Sequence, residues 1–408
     1  MTTRNRSLTL TLTTGLVALV TAGGSITAAV PAVASGQPAE AATSHNGPKP
    51  VATCPPDGRA LGFSDALDKK TALGAQVGGL SALTYDKRRH AYAAIEDHSG
   101  SDPTRMWFFR DPKDPTVTAT LLLSKADRTP YTGDDFDAEG LAILPNGDYL
   151  VSSEVEPSIH VFSRSGREKS QLPVPARFGV APVGQATANA TLEGLSLSPD
   201  GSRIYAAMEG TLFGDVSASG DATYRRILVY SRTHAGGYTL AKQIGYRMGD
   251  GMRISEVATY GHGGLLVLEA AYDPAIGNTI RLVAVPNART AADVSRVTDL
   301  GDTPANVAAS ALVSDATKCP DLGATAKETQ ANPLMDNYEA MAVRTGPGGK
   351  PGKHAGKHHG KPGKQHGKKH GGGDAKRLGA TVLLLSDDNF GDGQTTRLLR
   401  LKVALPKR

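Results

Sequence analysis

Along most of this chain, apolar and polar residues alternate in short runs, and the runs come in pairs joined by a glycine-containing turn. The pairs recur as one repeated unit: "GLSALTYDKRRHAYAAIED" from Gly79, "DAEGLAILPNGDYLVSSE" from Asp137, "TLEGLSLSPDGSRIYAAME" from Thr191, "RISEVATYGHGGLLVLEA" from Arg253, and "NYEAMAVR" from Asn337, resumed at "ATVLLLSDDN". Each copy reads as strand, turn, strand, with Pro-Asn-Gly, Pro-Asp-Gly or Gly-His-Gly-Gly supplying the positive-φ positions of a tight hairpin. Taken from Ser81, Glu139, Glu193, Glu256 and Glu339, the copies start 58, 54, 63 and 83 residues apart. A 32-residue insert, residues 346–377, interrupts the last copy within its hairpin.

A third strand follows each hairpin ("TRMWFFRD", "SIHVFSRSG", "YRRILVYSR", "TIRLVAVPN", "TRLLRLKVAL"), and a weaker fourth follows in the first four units ("VTATLLLS", "KSQLPVP", "YTLAKQIGY", "VSRVTDL"). Four antiparallel strands per repeat predict an all-β chain folded as a β-propeller, whose radial blades leave only short sheet edges. The last unit lacks a fourth strand, and "ALGFSDAL" near the start is expected to supply it and close the ring. Five blades are legible. A sixth, built from the N-terminal segment and Gly301 to Asp336, stays open. Frequent Gly and Pro and the lack of a sustained 3.6-residue period argue against a helical fold.

Composition changes this picture at three places. Arg4 and Arg6 precede an apolar run ending in Ala32-Val33-Ala34, the pattern of an export signal over residues 1–34, and an Ala/Pro/Ser-rich linker follows over 35–53. With no other apolar stretch long enough to span a bilayer, the body is expected to be secreted and monomeric. Cys54 and Cys319, the two cysteines of the chain, then read as one disulfide. The propeller domain is expected over 54–408. "CPPDGR" is one residue too short for a cysteine-phosphatase loop. The net charge of +5 is set by the insert at 346–377, which carries +8; without it the formal charge is −3, and without Arg4 and Arg6 as well it is −5. That leaves no stripe of basic and aromatic residues to bind nucleic acid. His354, His358, His359, His366 and His370 in the insert are metal-capable, but Gly-Lys-His repeats fix no ligand geometry, so the insert reads as a solvated basic loop able to contact anionic wall or extracellular material.

The repeat also carries the candidate chemistry. Because hairpin strands run antiparallel, the first and last residues of each hairpin lie at one end. Glu139 is thus expected beside Glu154, Glu193 beside Glu209, Glu256 beside Glu269, and Glu339 beside Asp387 and Asp388, while the first copy ends in Glu96-Asp97. A ring of carboxylates at one channel mouth calls for a cation, and Ca2+, which takes six to eight oxygens, suits it better than zinc. Arg177, Arg225 and Arg253 are candidates for holding a phosphate or carboxylate substrate, or, with Arg105, for pairing with single glutamates as surface ion pairs. No Gly-x-Ser-x-Gly elbow occurs, and His98, His160 and His262 stand alone.

The ordered motifs "FDAEGLAILPNGDYLVSSE", "LEGLSLSPDGSRIYAAMEG", "ISEVATYGHGGLLVLE" and "NYEAMAV…LLLSDDNF" closely resemble the family named for esterase-like activity of phytase, over about Gly62 to Val403. The resemblance implies a propeller that hydrolyses phosphate or carboxylic esters, with calcium as its cofactor, and it matches Glu139, Glu193, Glu256, Glu339 and Asp387 to acidic motif positions. A catalytic role for Glu139, Glu193, Glu256 and Glu339 is expected on that basis. The rival readings are a gluconolactonase-like lactonase or carboxylesterase, and a propeller that only binds a ligand or surface polymer. The basic insert departs from the family pattern.

Overall fold

The structure is a computed structural model that describes residues 52–97, 100–345 and 377–407. The leader, all but the last two residues of the linker, His98, and all of the insert but Arg377 lie outside them.

The strands form five radial blades, each with four antiparallel strands ordered outward from the channel, the fifth blade extended at its outer edge by the short strand Thr53–Cys54. The inner strands are Leu80–Asp86, Ala138–Ile143, Leu192–Leu197, Arg253–Tyr260 and Tyr338–Thr345. They neighbour one another in that order, and the last returns to the first. No sixth blade forms among the described residues.

Closure follows the expected route. The fourth strand of blade 5 is Gly58–Ser64, paired antiparallel with Leu398–Leu405, so the two ends of the domain share one sheet. A disulfide between Cys54 and Cys319 fastens this sheet to the loop that follows blade 4. The predicted fourth strand at 294–300 is corrected: those residues are loop, and Ala311–Asp315 takes that place in blade 4.

Apolar side chains alternate on both faces of each sheet because both faces are covered by neighbouring blades. The core is therefore divided into wedges. Leu141 and Tyr149 of blade 2 pack on Ala93 and Phe108 of blade 1, and Val257 and Val267 of blade 4 pack on Tyr205 and Val229 of blade 3. Gly140 and Gly194 keep adjacent inner strands close: a Cβ on Gly194 would lie 2.6 Å from the backbone nitrogen of Val257, and one on Gly140 would lie 2.5 Å from Leu195 Cβ.

Candidate functional site

The ladder between first and second strands slips once in every blade, always near the start of the inner strand. The residues at the slip are Ser81, Glu139, Glu193, Ser255 and Glu339. A bulge of this kind inserts an extra residue and re-aims its side chain out of the regular alternation. Two further sets of equivalent positions flank it. Asp97, Glu154, Glu209 and Asp387 each donate a backbone N–H to the carbonyl of Gly79, Asp137, Thr191 and Asn337, and in blade 4 Ala270 pairs with Arg253 in the same way. These fifteen positions surround one mouth of the channel. Four blades supply eight carboxylates, Asp97, Asp137, Glu139, Glu154, Glu193, Glu209, Glu339 and Asp387, whereas blade 4 supplies Arg253, Ser255 and Ala270.

The acids converge into three overlapping triads, Asp97/Glu339/Asp387, Asp97/Asp137/Glu139 and Glu139/Glu154/Glu193, in each of which one oxygen per residue lies within 4.8 Å of the others. Arg253 occupies the remaining side. Its Nη1 donates to Glu193 Oε1 at 3.2 Å and Glu209 Oε1 at 3.1 Å, and its Nη2 to Glu339 Oε1 at 2.6 Å and Asn337 Oδ1 at 3.0 Å. Ser81 Oγ donates to the other oxygen of Glu339 at 3.1 Å, and the Thr191 backbone N–H donates to Glu154.

Crowding and burial raise the proton affinity of six of these acids. Burial, then a shared proton and charge repulsion with Asp137, push Asp97 up to about 10. Burial and the nearby Glu209 charge push Glu154 up to about 7. Glu139 and Glu193 are driven well above the usual carboxylate range, first by burial and then by nearby charge, that of Glu193 at Glu139 and those of Glu209 and Glu154 at Glu193, where Arg253 opposes the rise. Glu209 is also raised by burial, against Arg253, and Asp387 is raised well by burial and Glu339. Burial disfavours the charge on Arg253, but Glu339, Glu193 and Glu209 outweigh it and hold the guanidinium protonated.

Several expected positions are resolved differently. Glu256 is not the equivalent of Glu139 and Glu193: the register gives that place to Ser255, and Glu256 takes the place of Gly140 and Gly194. A shift of one residue sends a strand side chain to the other face. Accordingly, Glu256 turns to the neighbouring blade, its Oε1 accepting the backbone N–H of Leu195 at 2.9 Å and of Val257 at 2.8 Å. Glu269 is likewise one residue short of the ring and accepts the Tyr246 hydroxyl at 2.7 Å. Glu96 does the same in blade 1, accepting Trp107 Nε1 at 2.6 Å, so Asp97 is the ring acid there. Arg225 donates to the carbonyls of Glu209 and Ala222, and Arg177 to Gln185 and Val297; neither touches a ring carboxylate. Of the pair Glu96-Asp97 that ends the first copy, Asp97 is the ring member, and Asp137 is one that acid-by-acid alignment passed over; the distance of each residue from the hairpin turn would have found it. Asp388 is held by Lys69 at 2.6 Å and the Gly79 N–H at 2.9 Å, outside the triads.

The chemistry of the donor set fits a hard divalent cation. All ligands are carboxylate oxygens, and the 4.8 Å limit within each triad is close to the span of two oxygens on one calcium, about 5 Å at most. Asp387 Oδ2 is buried and accepts no hydrogen bond from any described group, so one oxygen of the first triad has an unfilled acceptor. The residues positioned to hold ions are Asp97, Asp137, Glu139, Glu154, Glu193, Glu339 and Asp387. A separate cavity of about 690 Å³ opens at the opposite ends of the inner strands, lined by residues such as Tyr85, Arg88, Ile143, Leu197, Thr259 and Arg344. It contains none of these acids.

Among solved structures, the chain is similar to a streptogramin B lyase (10% identity, 85% of this chain and 98% of that one, TM-score 0.34). It is also similar to a thermostable family-43 glycoside hydrolase (13% identity, 81% and 95%, TM-score 0.38) and a PQQ-bound aldose sugar dehydrogenase from Streptomyces coelicolor (11% identity, 86% and 100%, TM-score 0.33). Similarity at this level bears on neither activity nor residues. No curated protein matches significantly. The model of the phytase-like family, described as esterase-like activity of phytase, matches residues 75–354, which include the four inner hairpins up to Ala270 and the inner strand of blade 5. The match covers more than half of the chain, and with the repeated acidic bulge it establishes that this protein belongs to the phytase-like family.

Proposed function

We propose that this protein is a secreted, calcium-dependent hydrolase of phosphate or carboxylic esters, working at the acidic mouth of its propeller. One observation carries the reading: among the described residues eight carboxylates face a single arginine, seven of them in triads tight enough to share ions, with Asp387 Oδ2 lacking a donor. Glu139, Glu193 and Glu339 hold the centre, with Glu154, Asp97, Asp137 and Asp387 around it. Calcium bound there would neutralise charge on the ester and lower the pKa of a bound water. The chain's own part is to hold the oxygens in place: the bulges fix their backbone, and Ser81, Asn337 and the Thr191 N–H orient individual carboxylates.

Export is supported by the leader pattern and the disulfide. Among the described residues, no helix is long and apolar enough to cross a membrane. The chain is proposed to act as a monomer, its basic insert contacting anionic wall or extracellular material.

The test is hydrolysis of p-nitrophenyl phosphate, phytate, acyl esters and lactones, with calcium and with chelator. Calcium-dependent turnover of a phosphate or acyl ester, lost in Glu139→Gln, supports the reading. Turnover of lactones alone would move the protein to the lactonase class. No turnover of any of them, with ligand binding altered in Glu193→Gln, would leave a binding propeller.

A further inference from the structure

We propose that Arg253 is an anion-binding residue held closed by the acid ring, and that cation uptake by the ring opens it. This rests on the reading that the carboxylates take up a divalent cation.

The two terminal nitrogens of a guanidinium carry four N–H bonds. In Arg253 they meet four oxygens, those of Glu193, Glu209, Asn337 and Glu339, so no terminal N–H is left for a ligand. Two of those partners have a second role. Glu193 belongs to the triad with Glu139 and Glu154, and Glu339 to the triad with Asp97 and Asp387. The other two, Glu209 and Asn337, belong to neither. The shared carboxylates are therefore contested between the guanidinium and any cation in the triads.

Each triad has only three carboxylates, so a cation that wants six or more oxygens has reason to draw on the shared ones. Arg253 then loses one partner from each terminal nitrogen and keeps one on each, Glu209 on Nη1 and Asn337 on Nη2. The retained pair holds the guanidinium at the mouth. The freed pair of N–H bonds is a two-nitrogen fork, the geometry that recognises phosphate or carboxylate. Blade 4 is where the ring has this option: the positions equivalent to Arg253 are Gly79, Asp137, Thr191 and Asn337, none of them basic.

Cation and anion binding must then reinforce each other by the same factor in both directions. Isothermal titration of the full chain with inorganic phosphate, below calcium phosphate solubility, should show binding about 10-fold tighter in saturating calcium than in chelator, a typical coupling. Calcium should bind tighter by that factor with phosphate present. Arg253→Met, which removes the internal competitor, should bind calcium as tightly as the parent or more so, and lose the calcium effect on phosphate. Arg253→Lys, a smaller disturbance to folding, should lose most of it, because one ammonium cannot make the fork.

Equal phosphate affinity with and without calcium in the parent would overturn the proposal, as would full coupling in either variant or weaker calcium binding in Arg253→Met. Calcium that binds without coupling to phosphate refutes Arg253 alone. A chain that binds no calcium refutes the metal reading and this proposal together.

Discussion

At the scale of single residues, parity along a strand decides which acid reaches the channel. Glu256 and Glu269 look in the sequence like members of the same series as Glu193 and Glu209, yet each falls one residue off and points into a blade contact. Their neighbours Ser255 and Ala270 hold the ring places, which is why blade 4 has no ring acid. The hairpin repeats were legible from turns and apolar spacing, and so were six of the ring acids, Glu139, Glu154, Glu193, Glu209, Glu339 and Asp387, with Asp97 named beside Glu96. The parity was not, because a bulge breaks the two-residue period at the point where it matters. Pairing of Arg253 with a single glutamate was legible, but not that it joins three carboxylates, since these come from blades 3 and 5. Neutralising the ring gives a residue-level test. Glu139→Gln with Glu193→Gln should raise the melting temperature in chelator at alkaline pH, by removing two buried groups that charge and repel there, and should remove most of the rise that calcium gives the parent. Calorimetry with and without calcium reads both effects. Gly194→Ala tests the strand contact: the new Cβ would lie 2.6 Å from the backbone of Val257, so a loss of about 1–3 kcal/mol is expected by denaturant titration. Gly379→Ala, with nothing within 4 Å of its Cβ, is the control and should be near neutral.

At the scale of elements, closure of the ring depends on a strand borrowed from the other end of the domain. This was legible because blade 5 ran out of sequence while "ALGFSDAL" had no partner. The fourth strand of blade 4 was misplaced for a physical reason: the alternation in 294–300 comes from Val294 and Leu300, which anchor a loop against Tyr224 instead of joining a sheet. The closing strand is fixed by more than its ladder. Arg397, fully buried one residue before Leu398–Leu405, donates from Nε and Nη2 to the two oxygens of Asp65 at 2.7 and 2.9 Å, just past the end of Gly58–Ser64. Two further N–H groups go to the carbonyls of Pro333 at 2.6 Å and Thr325 at 2.8 Å. Removing one partner of a buried pair leaves an uncompensated charge, with a penalty of about 3–5 kcal/mol. Asp65 is partly exposed, so Asp65→Ala should fall at or below the low end of that range and lower the urea midpoint with little change in slope. A loss below 1 kcal/mol would mean that the ladder alone holds the ring shut.

At the scale of the whole molecule, stability should depend on pH in the direction opposite to that of an ordinary acid-labile protein. Six of the ring carboxylates, Asp97, Glu139, Glu154, Glu193, Glu209 and Asp387, have folded pKa values raised above their unfolded ones, with Glu154 near 7 and Asp97 near 10. A raised carboxyl binds its proton in the folded state at pH values where the unfolded chain has already released it. Its stabilising effect is complete below the unfolded value of about 4.5 and is lost as pH climbs through the folded value. Without calcium, the propeller should therefore melt at progressively lower temperature from about pH 5 to pH 9, as the ring charges against its own repulsion. Calcium, which binds the ionised ring, should flatten or reverse that slope, and its effect on melting should be largest at the alkaline end. The disulfide supplies a reference that does not titrate. Cys54 and Cys319 are 265 residues apart, and closing a loop of that length restricts the unfolded chain by an amount equivalent to about 5.6 kcal/mol in the chain-entropy model. Reduction and alkylation should lower melting by a similar amount across the same pH range. A pH slope in chelator that persists unchanged in Glu139→Gln with Glu193→Gln would show that groups outside the acid ring set it.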